Sequence, residues 1–394
     1  MPSSSSKSKP KPSEVASEAK RIYIPTIRDK YAGTWTTCSY IYHQPLLQIN
    51  FVDRPLDLSP PVFYVSIGDP VNTALEWVES AQCAIPFICA ANDKRPGGDW
   101  ETGVVGYEER LCRRSTLAAC LATPADGSPA NSHYPLPICA GILSQHVVVF
   151  RGPHDKYEKL PTDQWRALPV VSVPPPRWPK LTQNGTKYSF ADEREMVKEK
   201  MRGALRICAY NNYSTVVVGD FGLGNGFRNP PQELAELWRE VCLYDPDLRG
   251  RIRCVAFVFE DPNQSTAQLI LDDIAKKAKG GSSHSSSRSK TKGGSSSLAG
   301  NLPADVEIFS RVFDNNEIQR FLAQPDARYD IILHNGSHGG PPSHVADGSV
   351  FTDAKHARTS ASNGRNTLLG GGCRRGNSVT GWCNDPNHGV LRKP

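Results

Sequence analysis

The sequence predicts an α/β protein: three layers, α/β/α, around a mixed sheet whose strands run into glycine-rich loops. Two observations predict it. Short apolar runs at 62–67 (VFYVSI), 84–91 (AIPFICAA), 215–219 (TVVVG) and 253–260 (RCVAFVFE) alternate with longer amphipathic stretches. Apolar runs of this kind suit strands covered by helices on both faces. The runs at 84–91 and 215–219 each lead into a glycine loop, and alternating strands and helices build a three-layer sandwich.

Taken in order, residues 1–20 are rich in Ser, Lys and Pro and are expected to be a disordered tail. The main domain should span 21–278. Its first part, to residue 60, contains Trp35 and reads as irregular or β structure. The strand at 62–67 ends at Gly68-Asp69-Pro70, and Asp69 or its neighbours should cap a helix over 71–80. With the strand at 84–91 this makes a βαβ unit with a right-handed crossover. A helix is expected over 108–122, a polar loop over 123–138, and strands over 142–151 and 170–173. The second of these ends in Pro174-Pro175-Pro176-Arg177-Trp178, a rigid loop edge. Helix 192–210 begins with Asp192-Glu193, which suits the positive end of its dipole, and Met196, Leu205 and Cys208 are spaced for burial. Strand 215–219, helix 231–243 with Pro231 in its first turn, strand 253–260 and helix 266–278 complete the pattern. The Gly/Ser/Lys tract at 279–300 reads as a flexible insertion. Residues 301–333 should complete the domain, with a strand at 306–313, a helix at 316–322 and an apolar piece at 329–333. Residues 334–394 read as a disordered tail.

The 394 residues carry a formal charge of +6, with many of the basic side chains in the tails. Such tails are either solvated or able to touch a polyanion. The eleven cysteines lie mostly in apolar surroundings and follow no disulfide spacing. No apolar run is long enough to cross a membrane. An intracellular protein, cytoplasmic or nuclear, with reduced thiols is expected, and a monomer. His334, His338, His344, Cys373, Cys383 and His388 fit no zinc pattern, so no metal is expected.

The candidate chemistry centres on 89–117, CAANDKRPGGDWETGVVGYEERLCRRSTL. A strand, a glycine loop and a helix start are the usual elements of a phosphate site. Glycines let the backbone approach an anion, and helix N-terminal N–H groups favour negative charge. Gly97-Gly98-Asp99 is followed by residues 100–106 and then Tyr107-Glu108-Glu109. This stretch resembles the signature of microbial-type poly(ADP-ribose) glycohydrolases, whose fold is macrodomain-like: Gly-Gly-Gly, a short spacer, Gln-Glu-Glu. The continuation Arg110–Ser115 is similar as well. Asp99 stands where the family has its third glycine, and Tyr107 where it has glutamine. The second loop, Gly219-Asp220-Phe221-Gly222-Leu223-Gly224 followed by Asn225-Gly226-Phe227-Arg228-Asn229-Pro230, resembles the family's second diphosphate loop with one residue inserted. The resemblance spans roughly 60–275 and resumes over 301–330.

The resemblance implies hydrolysis of the ribose–ribose O-glycosidic bond of poly(ADP-ribose), with release of ADP-ribose and no cofactor or metal. It implies Glu109 as acid/base and Glu108 as the residue that orients the ribose. Gly97, Gly98, Asp99, Tyr107, Gly222, Gly224 and Gly226 would contact the ligand. Asn92 would either meet a ribose or close an Asx turn, and Phe227 would either lie against a ribose or anchor its loop in the core. Arg95 and Arg228 would either sit near the diphosphate or face solvent. Asp99, beside a diphosphate, should point away and accept backbone N–H bonds. The chemistry itself asks for a proton on the leaving oxygen and a base for water, and adjacent carboxylates raise one another's pKa. Two alternatives stand beside this reading. One is a non-catalytic module that binds ADP-ribose or an ADP-ribosylated protein. The other is a hydrolase of a different ADP-ribose derivative.

Overall fold

The computed structural model describes residues 9–43, 59–125, 128, 131–280 and 302–324. Among them a seven-stranded mixed sheet has the order β1-β4-β5-β3-β6-β7-β2. The strands are β1 (Tyr40–Tyr42), β2 (Val62–Ile67), β3 (Phe87–Ala90), β4 (Gly141–Val149), β5 (Arg166–Val173), β6 (Thr215–Val218) and β7 (Cys254–Phe259). From β5 through β3, β6 and β7 to β2 every pairing is parallel, while β4 pairs antiparallel with β5 and β1 antiparallel with β4. The parallel strands therefore end together, and the loops after β2, β3, β5, β6 and β7 share one rim of the sheet. In such sheets that rim is where ligands bind.

The helices are α1 (Pro12–Glu18), α2 (Ile24–Lys30), α3 (Pro70–Ala81), α4 (Tyr107–Arg114), α5 (Leu117–Leu121), α6 (Ala191–Tyr210), α7 (Pro231–Tyr244), α8 (Thr266–Gly280), α9 (Asp305–Val312) and α10 (Asn315–Leu322). Two separate cores flank the sheet. On one face α6, α7, α9 and α10 bury Met201, Leu205, Leu234, Trp238, Phe309 and Ile318 against Val216, Val218, Val255 and Phe257. On the other, α1 to α5 bury Ile27, Ala74, Leu111 and Leu117 against Val217, Ala256 and Val258. Neighbouring residues of β6 and β7 thus feed opposite cores, as the two-residue period of a strand requires. Asp69 caps α3 by accepting the Asn72 N–H at 2.9 Å.

Five expectations are corrected. The N-terminal stretch is not disordered from residue 12 onward. Val15, Ala16, Ala19 and Ile27 are buried at helical spacing along α1, a π-helical turn (Ala19–Tyr23) and α2. Tyr23 stacks on Phe150 at 4.5 Å, and Glu18 accepts from Arg151 at 2.6 Å. A Ser/Lys/Pro-rich composition concealed these few apolar positions. Secondly, β2 and β3 are not neighbours, because β6 and β7 lie between them. All six residues of β7 are buried, which suits the interior, whereas half-exposed β2 suits the edge. Thirdly, helix 108–122 breaks at Ser115. There the backbone turns extended and Thr116 donates to Val148 O at 3.0 Å, pairing with β4. Fourthly, 306–313 is helix α9, not a strand. Ile308, Phe309, Val312 and Phe313 recur at helical spacing, and Glu307 accepts the Ala304 N–H at 3.2 Å. Fifthly, Met196 is only half-buried, and Val197 faces the core in its place.

Of the expected insertion at 279–300, residues 279 and 280 close α8, and the rest, the apolar piece at 329–333, the tail and its histidines and cysteines lie outside the described residues. Among the described residues no cysteine forms a disulfide, and no helix is long and apolar enough to cross a membrane.

Candidate active site

The first turn of α4 is where the two glycine loops meet. Gly98 lies directly against the Glu109 carboxylate and the Asn92 amide: a Cβ there would collide with Glu109 Oε1 and come within 3.2 Å of Asn92 Nδ2. Its φ of 57° also lies in the left-handed region that favours glycine. From the other side Gly224 approaches Tyr107 and Gln264, and a Cβ there would stand 2.7 Å from Tyr107 Oη. Gly106, the residue before α4, faces Glu109 Oε2 just as closely. The remaining glycines divide. Gly97 faces Trp100, Cys112 and Ala118 in the core, Gly222 faces Asn229, and Gly226 meets nothing within 4 Å.

Both carboxylates are buried. Glu108 Oε2 accepts the Asn92 N–H at 2.7 Å, while its Oε1 has no hydrogen-bond partner among the described residues. Glu109 Oε1 accepts the Asp99 N–H at 3.3 Å. Burial pushes the Glu108 carboxyl up to about 8, and the charge of Glu109 adds to the rise; the Asn92 N–H and the charge of Arg177 oppose it. Glu108 therefore keeps its proton at neutral pH.

A stability consequence follows. The unfolded chain releases the Glu108 proton near its ordinary value of 4.5 and the folded chain near 8, so the folded state binds more protons between them. Stability falls as pH rises through that window. Burial also raises Asp220, to about 7, and Asp305, to about 6, with the same sign. Glu108→Gln removes the largest of these contributions. Its melting temperature relative to wild type should be higher at pH 8 than at pH 5. A difference that does not change between the two pH values would contradict the buried, protonated Glu108.

The other candidate residues are placed as follows. Asn92 closes the Asx turn that was one of the two readings weighed for it. Its Oδ1 accepts Lys94 N–H at 2.8 Å and Arg95 N–H at 3.2 Å, while its amide stays beside Gly98. Phe227 is buried, yet its ring lies 6.4 Å from that of Tyr107 and nearly parallel to it. Among the described residues the Asp99 carboxylate accepts no backbone N–H; it pairs with Arg95, because a guanidinium four residues earlier is in reach. Arg228 neither faces solvent nor points toward the Glu pair. It is buried against Asp273, Asn225 and the carbonyl of Leu269 on α8.

Residues without a motif of their own hold the site in shape. Arg113, fully buried, donates to the carbonyls of Trp100 at 2.8 Å, Thr102 at 3.1 Å and Val104, and so clamps the first loop. The basic pair Arg113-Arg114 after the Glu pair is its only signal in the sequence. Tyr107 Oη donates to Gln264 Oε1 at 3.1 Å, and the Gln264 amide donates to Asp220 at 3.2 Å and Asp305 at 3.1 Å. Asp305 also accepts from Thr266 Oγ1 at 2.6 Å, whose oxygen takes the Gly224 N–H at 2.8 Å. Start of α9, start of α8 and second loop are thus one hydrogen-bonded chain, with no local sequence signal. Below Tyr107, Arg110 pairs with Glu260 at 2.7 Å beside a cavity of about 20 Å³. That is room for about one water, so a nucleotide would have to lie across the rim above it.

Comparison with known proteins bears on the family resemblance and the fold. Residues 26–152 match the family model for the microbial-type PARG catalytic domain. This is the family whose motif the loops resemble, and the resemblance is borne out. The match contains the first glycine loop and Tyr107–Glu109 and ends before the second loop. The chain is also similar to the crystal structure of the Thermomonospora curvata poly(ADP-ribose) glycohydrolase, at 18% identity and a TM-score of 0.51. That comparison covers 68% of this chain and 98% of the other. The same enzyme bound to the inhibitor ADP-HPD matches at 17% identity and TM-score 0.50, with 68% and 98% covered. The fold is accordingly the macrodomain-like α/β/α fold of PARG. No curated protein matches the chain.

Proposed function

We propose that the protein is a poly(ADP-ribose) glycohydrolase, cleaving the ribose–ribose O-glycosidic bond to release ADP-ribose. The observation that carries this reading is the convergence of two glycine loops on one Glu pair. Gly98 lies against Glu109 and Gly224 against Tyr107, at the carboxyl ends of parallel strands. Glycine loops after parallel strands suit a diphosphate, and the Glu pair suits the glycosidic bond beside it.

In this reading Glu109 gives a proton to the leaving oxygen as the C1″–O bond breaks. The resulting oxocarbenium-like centre is stabilised by the adjacent negative charge. Water then adds at that carbon and returns a proton to Glu109, which restores the acid. Glu108 orients the ribose: its unpartnered Oε1 suits a ribose hydroxyl, while its Oε2 is fixed by Asn92. One observation favours a second assignment. The raised pKa makes Glu108 the group that holds a proton at neutral pH, so it would be the donor and Glu109 the base. Comparing Glu108→Gln with Glu109→Gln separates the two. Most of the described cysteines are buried and none forms a disulfide, which supports action inside the cell, in cytoplasm or nucleus.

Incubation of the full chain with labelled poly(ADP-ribose) should release free ADP-ribose. Binding of ADP-ribose without release would instead identify a binding module, with Asp99 and Tyr107 the positions to restore first. Release from another ADP-ribose derivative alone would shift the substrate. Neither binding nor release would reject the reading.

A further inference from the structure

A diphosphate on these loops would meet only the partial charges of backbone N–H groups, so a free cation nearby would add to its binding. Most arginines around the rim are already committed: Arg95 to Asp99, Arg110 to Glu260, Arg114 to Asp69, Arg228 to Asp273, and Arg113 to loop carbonyls. Arg177 differs. It is exposed, has no anionic partner among the described residues, and its guanidinium stands 5.0 Å from the Phe227 ring centroid.

Its exposure does not mean that it is loosely held. Pro176, just before it, accepts a hydrogen bond from Asn229 Nδ2 at 3.0 Å, and Trp178, just after it, donates its N–H to Phe227 O at 2.7 Å. Both partners belong to the second glycine loop. Trp178 is held at φ 55°, an uncommon conformation for a bulky residue, and Arg228 packs over its indole at 4.4 Å. The turn is therefore pinned on both sides of residue 177. The charge of Arg177 also reaches the buried Glu108 carboxyl and opposes its rise.

We propose that Arg177, held beside Phe227 on the turn pinned to the second glycine loop, is the cation that receives the diphosphate of an ADP-ribosyl ligand; this rests on the ADP-ribose reading of the site. A planar guanidinium takes phosphate oxygens in a two-pronged fashion, and its stacking on Phe227 pre-orients the fork.

The test is calorimetric titration of ADP-ribose into the folded full chain, for wild type and Arg177→Ala, Arg177→Gln and Arg177→Lys. The Ala and Gln variants should bind about ten- to hundredfold more weakly, the range expected for a lost charge-assisted bond. Lys should retain part of the affinity, and the wild-type advantage should shrink in high salt. Wild-type affinity in Arg177→Ala overturns the proposal. So does full affinity in Gln with loss in Lys, which would mean that Arg177 serves by stacking on Phe227. If wild type itself fails to bind ADP-ribose at millimolar concentration, the site reading falls and the proposal with it.

Discussion

Glu109→Gln should slow ADP-ribose release by about 10²–10⁴-fold, the usual worth of a general acid–base group, while ADP-ribose affinity changes little. The reason lies in how the side chain is held. Its carboxylate is confined by Gly98 and Gly106 and accepts the Asp99 N–H at 3.3 Å. Glutamine fits the same space and keeps that bond through its amide oxygen. What it loses is the transferable proton. Glu108→Gln should act differently: it disturbs the group that meets Asn92 at 2.7 Å and so weakens both ribose positioning and rate. Single-turnover rates with labelled poly(ADP-ribose), alongside ADP-ribose titrations, separate the two. If folded Glu109→Gln hydrolyses as fast as an active wild type, Glu109 is not the acid/base. If Glu108→Gln alone abolishes turnover without weakening binding, the proton donor is Glu108.

Phe309→Ala should destabilise the fold by about 3–5 kcal/mol, the cost of truncating a large aromatic in a packed core. Phe309 is buried on α9, edge-on to Phe257 at 5.2 Å and to Phe259 at 5.1 Å. Its removal opens a cavity between α9 and β7 that flanking aromatics cannot close. For a domain of this size the melting temperature should fall by roughly 6–20 °C. A shift within experimental error would mean that α9 adds little to the sheet. The loss should also reach the site, because α9 begins at Asp305, which holds Thr266 and through it the Gly224 N–H. Weaker ADP-ribose binding in Phe309→Ala, measured where the variant is still folded, is the expected sign of that link.

The α/β class was legible because β6 and β7 are apolar runs too short for helices and are separated by periodic helical stretches. Apolar side chains on both faces of a strand require a layer on each side, and the two cores supply them. The site was legible where chemistry demands a residue type at a fixed spacing: Gly98 before Glu109, and Gly224 in a loop directly after a strand. Those constraints act within a few residues of chain, so the order of amino acids alone carries them.

Only the tertiary structure decided the rest, because those features depend on partners distant in sequence. Strand order is one: β2 went to the edge since β6 and β7, met some 150 residues later, have the more thoroughly apolar faces. The helical state of 306–313 is another, since V-E-I-F-S-R-V-F fits either period until Phe257 and Phe259 are there to pack against. Asp305, Gln264 and Arg177 carry no motif. The first two are tied to Tyr107 and Gly224 by hydrogen bonds across long stretches of chain, and Arg177 gains its place from a turn pinned to the second loop. Burial did the same for charge: nothing in the sequence marks Glu108 as unusual, and its enclosure away from water is what raises its pKa, against the opposing Asn92 N–H. Spacing along the chain determined which groups could meet, and desolvation and cross-chain contacts determined what each became.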